Sequence, residues 1–315
     1  MSEVRMRARS VPTPEPGPVP FRHRAQYAAF RLLRAVVSRI PTRVALGVGE
    51  GLGWLAGVVL RMRRDVVDEN LARAFPERSS GWRRRVAVQS YRHLGREAVA
   101  TFRMVGSSAE GVRSMTDCDG LEAIRASIDE GRGVVVASAH LGNWEMGSVA
   151  VATRGIPIDV VVHRQRNRRF DDDLRETRGR LGVGIISRDV APRRVLESLR
   201  RGRLVALVAD QNVAGSGIFV DFFGVPASTA RGPAVFALRT GAPLYVGVVM
   251  RSRKNPPRYR VVFRPIDVAR SGELEEDVRR LTEAVTEAVE GFVREAPEQY
   301  FWVHRRWKTR PRAES

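Results

Sequence analysis

Residues 131–147 read GRGVVVASAHLGNWEMG. A glycine turn at Gly131–Gly133 leads into Val134, Val135, Val136 and Ala137, and the run then delivers His140. A short, branched apolar run behind a glycine turn is the pattern of a buried strand, and Leu141–Asn143 reads as the opening of a helix. His140 therefore falls where a strand ends and a helix begins. In open α/β sheets that carboxyl edge is where ligands and chemistry collect. Glu145 follows five positions later. Residues five apart on one continuous helix point to different faces, but a strand–loop–helix junction lets Glu145 fold back toward the imidazole. The same residues also fit a plainer role, with His140 closing a sheet edge and Glu145 complementing a helix dipole.

On either side of this stretch the pattern alternates. Helix 121–129 precedes strand 133–138, and a further helix starts near residue 143. Strand 158–162 is followed by a charged helix over 168–181, strand 184–187 by helix 191–200, and strand 204–209 ends at Asp210. The run 218–223 leads to a turn at Gly224–Pro226. Ser228 or Thr229 is then expected to cap a helix that stops at Gly241–Pro243. Strands 244–250 and 259–264 and helix 274–294 complete the chain. Strands alternating with helices predict an α/β fold with a mostly parallel central sheet flanked by helices. If the strands ending in His140 and Asp210 are parallel members of one sheet, both side chains emerge at the same edge. That is the geometry of a base and its orienting carboxylate, although Asp210 also fits a turn cap. Either Glu145 or Asp210 satisfies the partner role on this pattern.

The net charge of +19 comes almost entirely from arginine, since Lys254 and Lys308 are the only lysines. Such a surface favours an anionic partner: nucleic acid, anionic lipid, a phosphorylated substrate or an acidic carrier protein. The single cysteine, Cys118, excludes an intrachain disulfide, and Asp117 and Asp119 beside it should raise its thiol pKa. The five histidines are dispersed, and no GxSxG, P-loop or HExxH motif is present, so no metal site or resident cofactor is expected. Asp171–Asp173 reads as the start of a solvated helix with Asp–Arg pairs four apart. Arg164 follows strand 158–162 and is placed near the His140 edge, where a guanidinium binds phosphate or stabilises an oxyanion.

The front end is different in kind. Residues 1–22 carry charge and proline and read as a disordered leader. Tyr27–Ile40 places Phe30, Leu33, Val37 and Ile40 at helical spacing among arginines, the composition of a segment lying on an anionic membrane. Val44–Leu60 carries one charge, Glu50, and falls slightly short of the ~20 residues that span a bilayer core. Gly49, Gly53 and Gly57 recur every fourth residue, a face for close helix packing. The GVGEGLG string lacks the preceding strand of a dinucleotide loop.

Three motifs carry a resemblance. AHLGNWE at 139–145 resembles the HX4(D/E) motif of membrane acyltransferases. GIFVDFFGVPASTARGPAVFALRTGAPL at 217–244 and PEQYFWVHRRWKTRP at 297–311 resemble the late acyltransferases of lipid A biosynthesis, the lauroyl/myristoyl type, which are related to phosphatidylinositol mannoside acyltransferases. NLARAFPE at 70–77 and the apolar N-terminal segment also fit. The resemblance implies a glycerolipid-acyltransferase-like fold with N-terminal membrane-associating helices over 23–64 and a catalytic domain over 65–315. It implies O-acyl transfer from acyl carrier protein or acyl-CoA to a hydroxyl of a phosphorylated glycolipid, without metal or nucleic acid, at the cytoplasmic face of a bacterial inner membrane. On matching positions His140 is the general base and Glu145 its partner. In the mannoside branch an acidic residue at the Asp210 position takes the partner role. Arg164, with Asn143 inside the first motif, matches a substrate-side position. Ser228 and Thr229, at the expected helix start, and Arg305 and Arg306, among the C-terminal aromatics, complete the substrate-binding candidates. The alternatives are transfer to another glycolipid or to lysophosphatidate, or a non-enzymatic nucleic-acid-binding protein, and the HRRWKTRP run favours lipid A.

Overall fold

The computed structural model describes residues 20–104, 106–163, 167–252 and 258–311. Arg164 and residues 1–19 lie outside the described residues. Five helices come first: α1 (Phe21–Arg39), α2 (Thr42–Trp54), α3 (Arg64–Ala74), α4 (Ser80–Met104) and α5 (Ala109–Met115). The α/β part follows in the order β1 (Thr116–Asp119), α6 (Leu121–Asp129), β2 (Val134–Gly142), α7 (Trp144–Ala152), β3 (Ile158–Val162), α8 (Arg168–Arg180), β4 (Val183–Ser187) and α9 (Ala191–Arg200). It continues with β5 (Leu204–Val208), β6 (Ile218–Phe222), β7 (Val225–Thr229), α10 (Gly232–Thr240), β8 (Leu244–Arg251), β9 (Tyr259–Ile266) and α11 (Leu274–Glu295).

Seven strands form one sheet in the order β1-β9-β8-β2-β5-β3-β4. Every pairing in it is parallel except β8 with β9. The alternation of side chains along β2 divides the core. Val135, Ala137 and Ala139 face a cluster built with α10 and α11, and Val134 and Val136 face a second cluster built with α6 and α7. Helix α11 covers the first face because Val278, Leu281, Val285, Val289 and Phe292 recur at helical spacing and are all buried. The mostly parallel sheet with flanking helices agrees with the sequence reading.

Two expectations about secondary structure are corrected. Leu141 and Gly142 do not open a helix: β2 runs on through them, Gly142 pairing with Val249 and Leu141 bridging Tyr300, and α7 starts at Trp144 behind Asn143. Ser228 and Thr229 do not cap a helix: they end β7, which pairs antiparallel with β6 in a separate hairpin. Helix α10 starts three residues later with Arg231 as its N-cap and without a side-chain cap bond. The β-branched and aromatic content of Ile218–Phe222 favours a paired strand, and Phe223–Gly224, both with positive φ, close its turn.

The glycine face of α2 packs on α4. A Cβ at Gly49 would lie 2.5 Å from the Gly95 carbonyl oxygen, and one at Gly53 would lie 2.0 Å from that of Tyr91. The helix backbones therefore meet with no room for a side chain. A π-helical turn over Leu55–Val59 continues α2, and Gly57 seats the Tyr91 ring. The opposite face of the same segment, Val44, Val48, Leu52, Leu55 and Val59, is open. Among the described residues no single helix is long and apolar enough to cross a membrane. Thr42–Val59 and Arg64–Ala74 pass that test only together, bent by 89°.

Candidate active site

Strand β2 ends in a turn that only glycine fits. Gly142 has φ +61°, and a Cβ there would lie 1.7 Å from the Val249 carbonyl oxygen. Asn143 then caps α7, its Oδ1 accepting from the Met146 N–H at 3.0 Å. Its Nδ2 donates to Glu97 at 3.0 Å. Strand β5 runs parallel beside β2, with Ser138 opposite Val208, so Ala209 and Asp210 arrive alongside Ala139 and His140. The Ala209 N–H donates to the Ser138 carbonyl and prolongs the alignment.

Asp210 reaches His140 with both oxygens. Oδ1 lies 2.7 Å from Nδ1, and Oδ2 accepts the His140 backbone N–H at 2.8 Å. A buried carboxylate facing Nδ1 makes that nitrogen the donor and leaves Nε2 with its lone pair. Burial works to lower the His140 pKa, but the Asp210 charge and hydrogen bond, with Glu145 behind them, outweigh it and leave it raised. For Asp210, burial works upward, and the His140 charge and hydrogen bonds, with Arg306, hold it below its usual value. Trp144 and Phe301 flank the imidazole with ring centroids 4.8 and 5.6 Å away. The Phe301 N–H donates to the His140 carbonyl at 3.0 Å, so the C-terminal segment clamps the strand end.

Glu145 is engaged elsewhere. Its carboxylate takes Arg178 of α8 in a forked pair, with bonds of 2.6 and 3.0 Å. Of the two carboxylates left open by the sequence, Asp210 is the one bonded to the imidazole. Arg178 was not among the sequence candidates. It stands 33 positions beyond Glu145 on another helix, and no local spacing reports such a meeting.

His140 and Glu145 both line a cavity of about 530 Å³, within the usual size range of small-molecule sites. Its walls are mainly apolar and include Val136, Ala206, Gly247 and Phe263 from the sheet and Gly147 and Val151 from α7. Asp171 also lines it and pairs with Arg175 at 2.7 Å, whereas Asp173 pairs with Arg34 and Tyr27 of α1. The helix and the Asp–Arg pair four apart agree with the sequence reading, and Asp172 is exposed, but Asp171 is buried at the cavity and Asp173 is taken up by α1, so the run is solvated only in part.

Several substrate-side candidates sit inside the fold. Asn143 is buried and spends its amide on the α7 cap and Glu97. Arg306, also buried, donates to the Ser228 carbonyl at 2.8 Å and to Thr229 Oγ1 at 2.5 Å. These three residues, Ser228, Thr229 and Arg306, thus hold one another behind Asp210 rather than lining the large cavity. Arg305 is exposed. Cys118 is half-buried, and its thiol is pushed up to about 11, first by burial and then, against Arg154, by Asp117 and Asp119. Among the described residues no group of histidine, cysteine and carboxylate side chains is arranged to hold a metal.

Known proteins are similar to this chain over most of its length. The chain is 28% identical over 284 residues to a lipid A biosynthesis palmitoleoyltransferase of Escherichia coli, covering 88% of this chain and 89% of that one. It is 29% identical over 279 residues to a lipid A biosynthesis lauroyltransferase of the same organism, with coverage of 88% and 89%. A phosphatidylinositol mannoside acyltransferase of Mycolicibacterium smegmatis is 32% identical over 229 residues, covering 69% of this chain and 71% of that one. The profile describing bacterial lipid A biosynthesis acyltransferases matches residues 21–309, and the chain belongs to that family.

Proposed function

We propose that this protein transfers a fatty acyl group from a thioester of acyl carrier protein or coenzyme A to a hydroxyl of a lipid A precursor, at the cytoplasmic face of a bacterial inner membrane. The single observation that carries the reading is the His140–Asp210 pair at an apolar cavity. His140 Nε2 takes the proton of the acceptor hydroxyl, and the oxygen attacks the thioester carbon. The C–S bond breaks, and the thiolate recovers the proton from Nε2. Asp210 keeps the imidazole in the Nδ1–H form and stabilises the imidazolium. General-base help of this kind is worth ~10²–10⁴-fold. The cavity takes the acyl chain, whose burial favours binding by about 0.8 kcal/mol per methylene. The Glu145–Arg178 pair shapes its polar end. The surface of net charge +19 suits an acidic carrier and a phosphorylated acceptor.

Residues 23–64 are assigned to membrane association and 65–315 to the catalytic domain. The open face of Val44, Val48, Leu52, Leu55 and Val59, flanked by Arg43, Arg61 and Arg63, supports this division. Such a surface lies in the headgroup boundary with its apolar side down.

The identity to the mannoside acyltransferase supports a second reading with the same chemistry and a different acceptor. One experiment separates the two. Purified protein is incubated with dodecanoyl acyl carrier protein and, in parallel, a lipid A precursor or a phosphatidylinositol mannoside. A mass gain of one acyl group on the lipid A precursor is expected. A gain on the mannoside alone favours the second reading, and no gain on either contradicts both.

A further inference from the structure

Asp210 occupies one ring nitrogen of His140, and the side chain that meets the other belongs to Gln211. Its amide Nε2 lies 3.4 Å from His140 Nε2. We propose that Gln211 is a further catalytic residue: its carboxamide N–H holds the oxygen of the acceptor hydroxyl while His140 takes that hydroxyl's proton. The proposal rests on the assignment of His140 as base.

The first support is geometric. With Nδ1 as the donor, the Gln211 N–H faces the Nε2 lone pair; an acceptor hydroxyl placed between the two side chains takes that lone pair with its proton and frees the Gln211 N–H for its oxygen. An oxygen ~2.8–3.0 Å from His140 Nε2 on the side of Gln211 lies within reach of both nitrogens. A hydroxyl has one proton and two lone pairs. The proton points at Nε2, one lone pair accepts from Gln211, and the second faces the thioester carbon. A neutral amine has a single lone pair and cannot both attack and accept, so the pair of side chains selects a hydroxyl.

The second support is the way the residue is held. Asn212, its neighbour, is tied to the C-terminal segment by three bonds. The Asn212 N–H donates to His304 Nε2 at 3.0 Å, the Asn212 amide donates to Thr309 Oγ1 at 3.0 Å, and the Thr309 N–H donates back to Asn212 Oδ1 at 2.9 Å. The backbone beside Gln211 is thus pinned, while its half-buried side chain lines the cavity. Accepting from Asn212 requires a neutral His304, and burial, foremost among the causes, holds the His304 pKa down. In the reaction the O–H bond breaks to Nε2, the C–O bond forms, and the C–S bond breaks with its electron pair on sulfur. Gln211 keeps its own protons throughout.

The test uses the full chain with dodecanoyl acyl carrier protein and a lipid A precursor. Gln211→Met keeps the length and removes the donor, and kcat at saturating donor and acceptor should fall about ten-fold or more. Gln211→Glu places a negative charge beside Nε2, so the acid limb of the kcat/KM profile should move to higher pH. A Gln211→Met loss below ten-fold overturns the proposal, as does an unmoved acid limb in Gln211→Glu. His140→Ala is assayed alongside. Activity retained in His140→Ala removes the base assignment itself, whereas an inactive His140→Ala beside an active Gln211→Met removes only the role of Gln211.

Discussion

Asp210 holds His140 by the ring and by the backbone at once, through Nδ1 at 2.7 Å and through the peptide N–H at 2.8 Å. The second bond fixes where the strand end lies, and the first fixes how the ring faces. Replacing Asp210 with Asn keeps the shape but removes the charge and unsettles the tautomer. The expected loss in kcat is about 10²–10⁴-fold. The sign of the pH effect follows from the shift. Asp210 raises the His140 pKa against burial, so losing the carboxylate lowers it. The base form then appears at lower pH, and the acid limb of kcat/KM should move down in a pH–rate profile.

Glu145 is bonded to Arg178 rather than to the imidazole, which it reaches only by its charge. Glu145→Gln and Arg178→Met should each lower turnover by less than Asp210→Asn does. Because the two side chains form one forked pair, the double variant should fall short of the sum, with a coupling of about 0.5–3 kcal/mol. A double-mutant cycle on kcat/KM measures it. Strict additivity would mean that the two groups serve the reaction separately.

In the proposed reaction the apolar wall of the cavity sets the chain-length choice. Ala206→Phe fills space on the sheet side. Shortening the accepted chain by two methylenes corresponds to ~1.6 kcal/mol, or about 15-fold in relative kcat/KM. Competition between dodecanoyl and decanoyl donors should swing toward the shorter chain by about that factor. An unchanged preference would place the chain elsewhere.

A buried ionic group supports the turn that carries His140 and Glu145. Glu97 accepts from Arg251 at 2.5 Å, from Tyr259 at 2.7 Å and from Asn143 at 3.0 Å. Glu97→Ala leaves the Arg251 guanidinium buried without its carboxylate and should destabilise by about 3–5 kcal/mol, read as a urea midpoint. Glu97→Leu combined with Arg251→Met should recover only part of that loss, because the buried Tyr259 hydroxyl and Asn143 amide still lack their acceptor. Burial works to raise the Glu97 pKa, but Arg251 and the hydrogen bonds hold it down. Its stabilising contribution is therefore full above the unfolded carboxylate value and is lost as pH falls through the folded one.

The two faces of α2 predict opposite phenotypes. Val48→Ser with Leu52→Ser alters the open face, and binding to anionic vesicles should drop about ten-fold or more without a change in thermal midpoint. Gly53→Leu drives a side chain into the Tyr91 carbonyl and should unfold the helix pair. Vesicle sedimentation and thermal melts separate the two outcomes.

The arrival of His140 and Asp210 at one sheet edge is legible because a parallel sheet carries all its apolar runs to that edge, although β2 runs two residues past His140 and β5 stops two short of Asp210. The partner choice is not, since Glu145 is nearer in sequence while Asp210 is nearer across the sheet. Ser228 and Thr229 read as a helix cap because hydroxyl residues before an apolar run suit one, yet the hairpin takes them first. Arg178 and the Glu97–Arg251 pair join segments 33 and 154 positions apart, beyond any local pattern. Strand β1 is only four residues long, TDCD, and gains its place by pairing with β9. The glycine face of α2 does announce close packing, and its partner proves to be α4 of the same chain.

The central claim is that His140 is the base. The most direct measurement is the turnover of full-length His140→Ala with dodecanoyl acyl carrier protein and a lipid A precursor, with its thermal midpoint and vesicle binding recorded alongside. A fall in kcat of at least ~10²-fold in a folded, vesicle-binding variant is the predicted result. Turnover equal to that of the unaltered chain would contradict it.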